Sequence, residues 1–173
     1  VNAKERNGQT ALMWAAADGH TEVVRALIEA GADINAIAES GFSPTLYAVR
    51  QGRIETVKEL LKAGADVNVL LRRPEPPPAP GQPQGGPRRQ APGVTPLSMA
   101  VQNAHFELAI TLIEAGADPN DMRTGLSPLH LIAGVRKPDN SDGSDPAPPI
   151  GSGRLSTFDF VREIIKRGAD VNS

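Results

Sequence analysis

The sequence predicts an all-α fold, a solenoid in which four helix–turn–helix units stack in a row. Two recurring phrases and one spacing carry that prediction. A phrase of the form GAD-x-N stands at residues 31–35, 64–68, 116–120 and 168–172, with its glycines 33, 52 and 52 residues apart. A second phrase precedes each copy: GQTALMWAA at 8–16, GFSPTLYAV at 41–49, GVTPLSMAV at 93–101 and GLSPLHLIA at 125–133. From the leading glycine of the second phrase to the glycine of the first is 23 residues in three copies and 43 in the fourth. The basic unit is therefore 33 residues, interrupted by two added stretches.

In copy one, Thr10 is placed to cap a helix over Ala11–Asp18, its hydroxyl bonding an orphan N–H. Gly19 turns the chain, and a second helix begins near Thr21. Its apolar residues Val23, Val24, Leu27 and Ile28 fall at helical spacing. Gly31 ends it in a left-handed cap, and Asp33 and Asn35 are turn formers. Copy two repeats the scheme with Ser43 as cap and a first helix Pro44–Gln51. Pro44 stands at the first helical position, where its missing N–H costs nothing. Gly52 makes the turn, Ile54 opens the second helix, Leu60 and Leu61 lie on its apolar face, and Gly64 ends it.

The chain between copies two and three is compositionally foreign. Residues 72–93, RRPEPPPAPGQPQGGPRRQAPG, hold half of all the prolines and form no regular element, since Pro removes donors and Gly adds backbone entropy. Copy three resumes with Thr95 as cap, helix Pro96–Asn103, a second helix from near Phe106, and Gly116. Copy four has Ser127, helix Pro128–Val135, then KPDNSDGSDPAPPIGSG at 137–153, and a second helix from near Thr157 to Gly168. Ala15, Ala48 and Ala100 are small enough to let neighbouring first helices approach closely. The units occupy about 5–37, 38–70, 90–121 and 122–173. One insertion, at 71–92, lies between repeats two and three, and another, at 136–154, lies inside repeat four. The first is expected to leave from the hairpin connection and the second from the helix–helix turn.

Composition narrows the function. The formal charge is −2, with 18 Lys and Arg against 20 Asp and Glu, so no basic footprint for nucleic acid is present. No apolar run approaches the length of a membrane helix, which argues against membrane insertion. With no cysteine there are no disulfides, thiolate metal sites or cysteine nucleophiles. Aromatic residues are 3%, so the core is built from Ala, Leu, Ile and Val.

A 33-residue period with S/T-P-L-H-like and G-A-D-x-N phrases resembles the ankyrin repeat over residues 1–70, 90–135 and 155–173. Copy one departs with TALMWA, copy two with SPTLYA and copy three with TPLSMA; only copy four, SPLHLI, keeps the motif histidine, as His130. The resemblance implies that this histidine hydrogen-bonds within the loop, so copies one to three must satisfy that loop otherwise. The opening Val1-Asn2 reads as the tail of a repeat, and the first copy carries an ordinary internal second helix. The chain is accordingly expected to be monomeric and part of a longer array or larger protein. Its wording is similar to bacterial ankyrin arrays, many of which are exported, so export from a bacterial cytoplasm is the corresponding expectation.

A search for chemistry returns little. His20 and His105 occupy the same place before the second helix, where copy two has Arg53, and a repeated place is a structural place. The three histidines lie in three repeats and form no i, i+4 ligand pair. DNSDGSD at 139–145 misses the calcium-loop register, with Gly at the fifth place and Ile150 at the twelfth. PEPPPAP favours polyproline II, read as a spacer more than as a ligand. No cofactor is implied.

The resemblance implies a concave side lined by hairpin tips and first helices, and a non-catalytic module that binds an unidentified protein there. The alternative is a structural spacer or regulatory segment with no partner of its own. Residues assigned to that side are Arg6, Gln9, Trp14, Asp18, Phe42, Tyr47, Arg50, Gln51, Gln102 and Arg123. Thr124 and Leu126 also fall at places expected to be exposed. Phe42 is an aromatic where the other copies carry Gln9, Val94 and Leu126, and it is expected to be exposed. Trp14, Tyr47, Met99 and Leu131 form one column that serves either packing between repeats or groove contact.

Overall fold

The computed structural model of the protein describes residues 1–71, 93–135 and 153–171. The expectations about the interiors of the two insertions lie outside these residues. Among the described residues there are eight helices: α1 Ala11–Asp18, α2 Thr21–Glu29, α3 Pro44–Arg50, α4 Ile54–Lys62, α5 Pro96–Gln102, α6 Phe106–Glu114, α7 Pro128–Val135 and α8 Thr157–Lys166. Gln51 and Asn103, expected inside the first helices, are instead their C-caps. The first helices α1, α3, α5 and α7 pack successively in one layer, and α2, α4, α6 and α8 in a second.

Local chemistry explains the starts of the first helices α1, α3 and α5. Thr10, Ser43 and Thr95 adopt extended backbone, and their hydroxyls accept from Met13 N (3.4 Å), Leu46 N (3.3 Å) and Ser98 N (3.2 Å). The residue that replaces the motif histidine differs in each copy. In copy four, His130 Nδ1 lies 2.7 Å from Ser127 Oγ. In copy three, Ser98 Oγ accepts from Thr95 N at 2.9 Å, and in copy one Met13 Sδ accepts from Thr10 N at 3.4 Å. Copy two places Leu46 there, fully buried, and fills the space with apolar volume.

The GAD-x-N phrase closes each second helix and joins it to its neighbour. Gly31, Gly64, Gly116 and Gly168 have φ of 81°, 99°, 103° and 97°, the left-handed region that glycine enters without a Cβ penalty. The following alanine N–H reaches back to the carbonyl of Leu27, Leu60, Leu112 or Ile164, which satisfies an orphan acceptor of the last turn. Asp33, Asp66 and Asp118 accept from the backbone N–H of Asn35, Asn68 and Asn120 at 2.8–3.0 Å. The asparagine then bridges to the next repeat. Asn120 Nδ2 donates to Gly168 O at 2.8 Å, and its Oδ1 accepts from Asp170 N at 2.7 Å. Asn2 makes the same pair of bonds to Gly31 and Asp33, and Asn68 donates to Gly116 O.

A second link recurs at the turn between helices. Arg53 Nε donates to Ala17 O of the preceding repeat at 3.2 Å. His105, at the same place one repeat on, sets Nε2 3.3 Å from Arg50 O, the carbonyl equivalent to that of Ala17. His105 is buried, and burial pushes its pKa below the ordinary histidine value; the carbonyl of Arg50 opposes that shift in part. The adjoining turn residue is Gly19 (φ 80°) in copy one and Gly52 (φ 67°) in copy two, but Ala104 in copy three, which holds φ 57°.

One apolar core runs the length of the array. Leu12, Leu46 and Leu97 fill the first layer, and Val24, Val57, Leu60, Leu108, Leu112, Phe160 and Ile164 fill the second. The insertions join this frame at two stems. Leu71, expected to belong to the first insertion, is buried and exchanges both backbone bonds with Val94, at 2.8 and 2.9 Å. At the second, the Glu107 carboxylate accepts from the backbone N–H groups of Arg154 and Leu155 and fixes the approach to α8. The first stem adjoins the start of α5 and the second follows the end of α7, which places them at opposite ends of the repeat unit.

Two measurements test this account. Ala104→Gly relieves a left-handed non-glycine residue and is expected to stabilise the fold by about 1 kcal/mol, raising the melting temperature by roughly 3 °C. An unchanged or lower melting temperature would show that the alanine methyl contributes more by packing than its backbone loses. For His105 the folded pKa is depressed, so its stabilising effect is complete above the unfolded value and is lost as pH falls through the folded pKa. Melting temperatures below about pH 6.5 are expected to fall more steeply in the natural chain than in His105→Gln, and parallel curves would rule this out.

Candidate functional site

The first helices and the hairpins before them present one continuous face, and repeats one and two give it an aromatic group. Phe42 lies on the hairpin just before the Ser43 cap, and Tyr47 one turn into α3, so the cap sets their relative position. Their ring centroids are 5.1 Å apart with planes tilted by 44°, a favourable aromatic arrangement. The guanidinium of Arg50, one turn further along α3, sits 5.9 Å from the Phe42 centroid in a cation–π contact. The Tyr47 hydroxyl accepts from Gln9 Nε2 of repeat one at 2.6 Å and lies 3.3 Å from Ser40 Oγ. Beneath it, the Tyr47 ring packs on a small cluster of Met13, Ala36 and Ala38.

Trp14 occupies in α1 the place that Tyr47 occupies in α3, and these two helices pack directly. It is 56% exposed although its neighbours Met13 and Ala15 are buried. The column that sequence left open is thereby divided. Met99 and Leu131 are buried and pack between elements, Tyr47 is half-buried, and Trp14 faces solvent.

Two expectations of exposure, for Phe42 and Thr124, need correction. Phe42 is half-buried and packs against the main core, because its ring folds down between Tyr47 and the core and does not stand out from the hairpin. Arg123 is exposed, as expected, and its guanidinium is already hydrogen-bonded. Its Nε and Nη2 bond the Asp121 carboxylate at 2.8–3.0 Å, and Nη1 donates to Asn68 O at 3.1 Å, so it ties two successive hairpins together. The bond from Arg123 holds the Asp121 carboxyl below its ordinary pKa, against the opposing effect of burial. Thr124, expected to be exposed, is buried and donates to Leu126 O at 2.9 Å.

Of the other residues assigned to this face, Arg6, Asp18, Arg50, Gln51 and Gln102 are exposed and Gln9 is half-buried. The structure therefore gathers Gln9, Phe42, Tyr47 and Arg50 into one contact group, with Trp14 on the adjoining helix. Arg123 is not in this contact group and bonds Asp121 and Asn68 O. Sequence reasoning missed Ile37 and Met122, exposed by 46% and 50% at the hairpin tips. The signal was available, since Ile37, Leu70 and Met122 stand at one fixed distance after the GAD glycine.

Among the described residues no three His, Asp or Glu side chains come together as a metal site, and no buried side-chain polar atom lacks a partner. No described helix is long and apolar enough to cross a membrane. The face presents aromatic area with a cation at its edge.

A family model described as ankyrin repeats in three copies matches residues 1–70, and a single ankyrin repeat model matches residues 93–123. No curated protein matches the chain. The fourth helix pair lies beyond the matched residues but carries the same marks: Ser127 beside His130, and a left-handed Gly168 clipped by Asn120. With more than half its length matched and the helix pairs in register, the chain belongs to the ankyrin repeat family.

Proposed function

We propose that the chain is a non-catalytic protein-binding module whose partner docks on the concave side of repeats one and two. Ankyrin repeats generally serve protein–protein interaction, and the site assignment goes beyond that. The observation that carries it is Trp14, a large aromatic 56% exposed in a helix whose adjacent residues are buried. Beside it the Phe42–Tyr47 pair is braced by Gln9 and edged by Arg50, so the surface is held in place before a partner arrives. Binding hot spots favour Trp, Tyr and Arg at desolvated centres, and this group supplies all three. Asp18 and Gln51, exposed at the ends of the first helices, add a polar rim.

The exposure pattern selects the test. Phe42→Ala would open space in the core and confound affinity with stability, whereas Trp14→Ala removes an exposed side chain. For a partner recovered with the full chain, Trp14→Ala is expected to lose about 2 kcal/mol, roughly thirtyfold in Kd, with its melting temperature preserved. Trp14 is the single tryptophan of the chain, so its emission should shift to shorter wavelength when the site is covered. Arg123→Ala is expected to do the opposite, lowering the melting temperature and leaving Kd unchanged. A partner that binds Trp14→Ala as tightly as the natural chain, without a shift in emission, would move the site off this face. Failure to recover any specific partner would favour the spacer reading.

A further inference from the structure

The hairpin of repeat one carries a reactive dipeptide that the stacking does not use. Asn7 is followed by Gly8, and every other asparagine of the chain precedes a residue with a side chain. Glycine has no Cβ to screen its amide nitrogen from the side chain before it. Asn7 is exposed in a turn, and its carboxamide makes no hydrogen bond among the described residues. The carboxamides of Asn2, Asn68 and Asn120 are instead held on the cap carbonyls of Gly31, Gly116 and Gly168.

The backbone around Asn7 joins two repeats. Glu39 N, on the hairpin of repeat two, donates to Asn7 O at 3.0 Å. Gly8 N donates to Glu5 O at 2.9 Å and closes the turn, while the Glu5 carboxylate accepts from Asn7 N at 2.9 Å. Gly8 holds φ 75°, and a Cβ built on it would lie 3.2 Å from Glu39 N. The hairpins are in such close contact here that an added backbone atom must move one against the other. Two residues on, Gln9 makes the bond to Tyr47 that braces the aromatic group.

We propose that Asn7 is a site of spontaneous deamidation, whose isoaspartate product unclips the hairpin of repeat one from that of repeat two. The Gly8 nitrogen attacks Asn7 Cγ and a cyclic imide forms. The carboxamide nitrogen leaves as ammonia, taking the proton of the Gly8 nitrogen. One water then opens the imide. Attack at Cγ gives aspartate, and attack at the backbone carbonyl carbon gives isoaspartate. In isoaspartate the chain runs through the former side chain and is one atom longer. The oxygen that received Glu39 N then belongs to a free carboxylate, beside the carboxylates of Glu5 and Glu39. The reaction waits on release of Gly8 N from Glu5 O, a local opening that an exposed hairpin reaches at low cost. The inference is independent of any partner on the concave side.

The test ages the full chain in warm, mildly alkaline buffer and maps its peptides by mass spectrometry. Isoaspartate is read with an isoaspartyl methyltransferase and a labelled methyl donor. Asn7 is expected to convert before any other described asparagine, and faster as pH rises, because the attacking nitrogen must lose its proton. Asn7→Gln, whose ring closure needs one more atom, should take no label in that peptide. The isoaspartate form, separated by ion exchange, is expected to melt roughly 5 °C below the fresh chain, since two backbone bonds are lost. Asn7→Asp carries the same charge on a backbone of natural length and should fall by less than about 2 °C. An Asn7 that stays intact while the urea-unfolded chain converts would overturn the proposal, as would another described asparagine converting first. So would an isoaspartate form that melts with the fresh chain or with Asn7→Asp.

Discussion

No repeat of this chain closes its own core. Each second helix turns one apolar row toward its own first helix and another toward a neighbouring repeat, and only the neighbour takes the second row out of water. Position eight before the GAD glycine shows this in a single comparison. Thr56, Leu108 and Phe160 are buried by the repeat before them, while Val23, in the first copy, is 50% exposed. Burying a side chain of that size contributes about 1.5–3 kcal/mol, so the stability of each unit rests on stacking more than on its short helices.

Stacking by apolar contact alone would leave register loose, and polar bonds set it. The GAD-x-N phrase performs three tasks in five residues: a left-handed cap, an Asx turn, and an asparagine that reads the backbone of the next cap. The link from the turn before the second helix to the preceding first helix acts at the other end of the unit. It accepts either an arginine, Arg53, or a buried histidine, His105, because both can reach a carbonyl at the same distance. Repeats two and three are pinned by both kinds of bond, and each of the other junctions by one of them, which helps helices of seven to ten residues stay aligned.

The candidate site is a by-product of this arrangement. The place in the first helix where Met99 and Leu131 pack is solvent-facing at Trp14, and the same register that buries Leu46 and Val49 presents Tyr47 and Arg50 outward. Arg50 takes part in both layers of the design: its side chain edges the aromatic group, and its carbonyl receives His105 of the next repeat. A partner bound there would press on a residue whose backbone is already fixed by the stacking.

The sequence by itself determined the helix pairs, their caps and their turns, because these depend on residues a few positions apart. Pro44, Pro96 and Pro128 at helix starts, glycine in left-handed caps and Asp–Asn turns are all local. It also set the candidate face to the level of a column, since a repeat assigns every copy of a position to one side of the array. What it left undetermined depends on neighbours distant in the chain. Trp14 and Met99 share a column, yet only the contacts around each decide that one is open and the other buried. Phe42 was placed as exposed by its position one residue after the motif glycine, but its ring finds Tyr47 and the core. Arg123 is exposed as its place in the repeat implied, but its bond to Asn68, on another hairpin, forms only when the repeats stack. Burial and pairing are properties of the assembled stack, and tertiary structure alone supplies them.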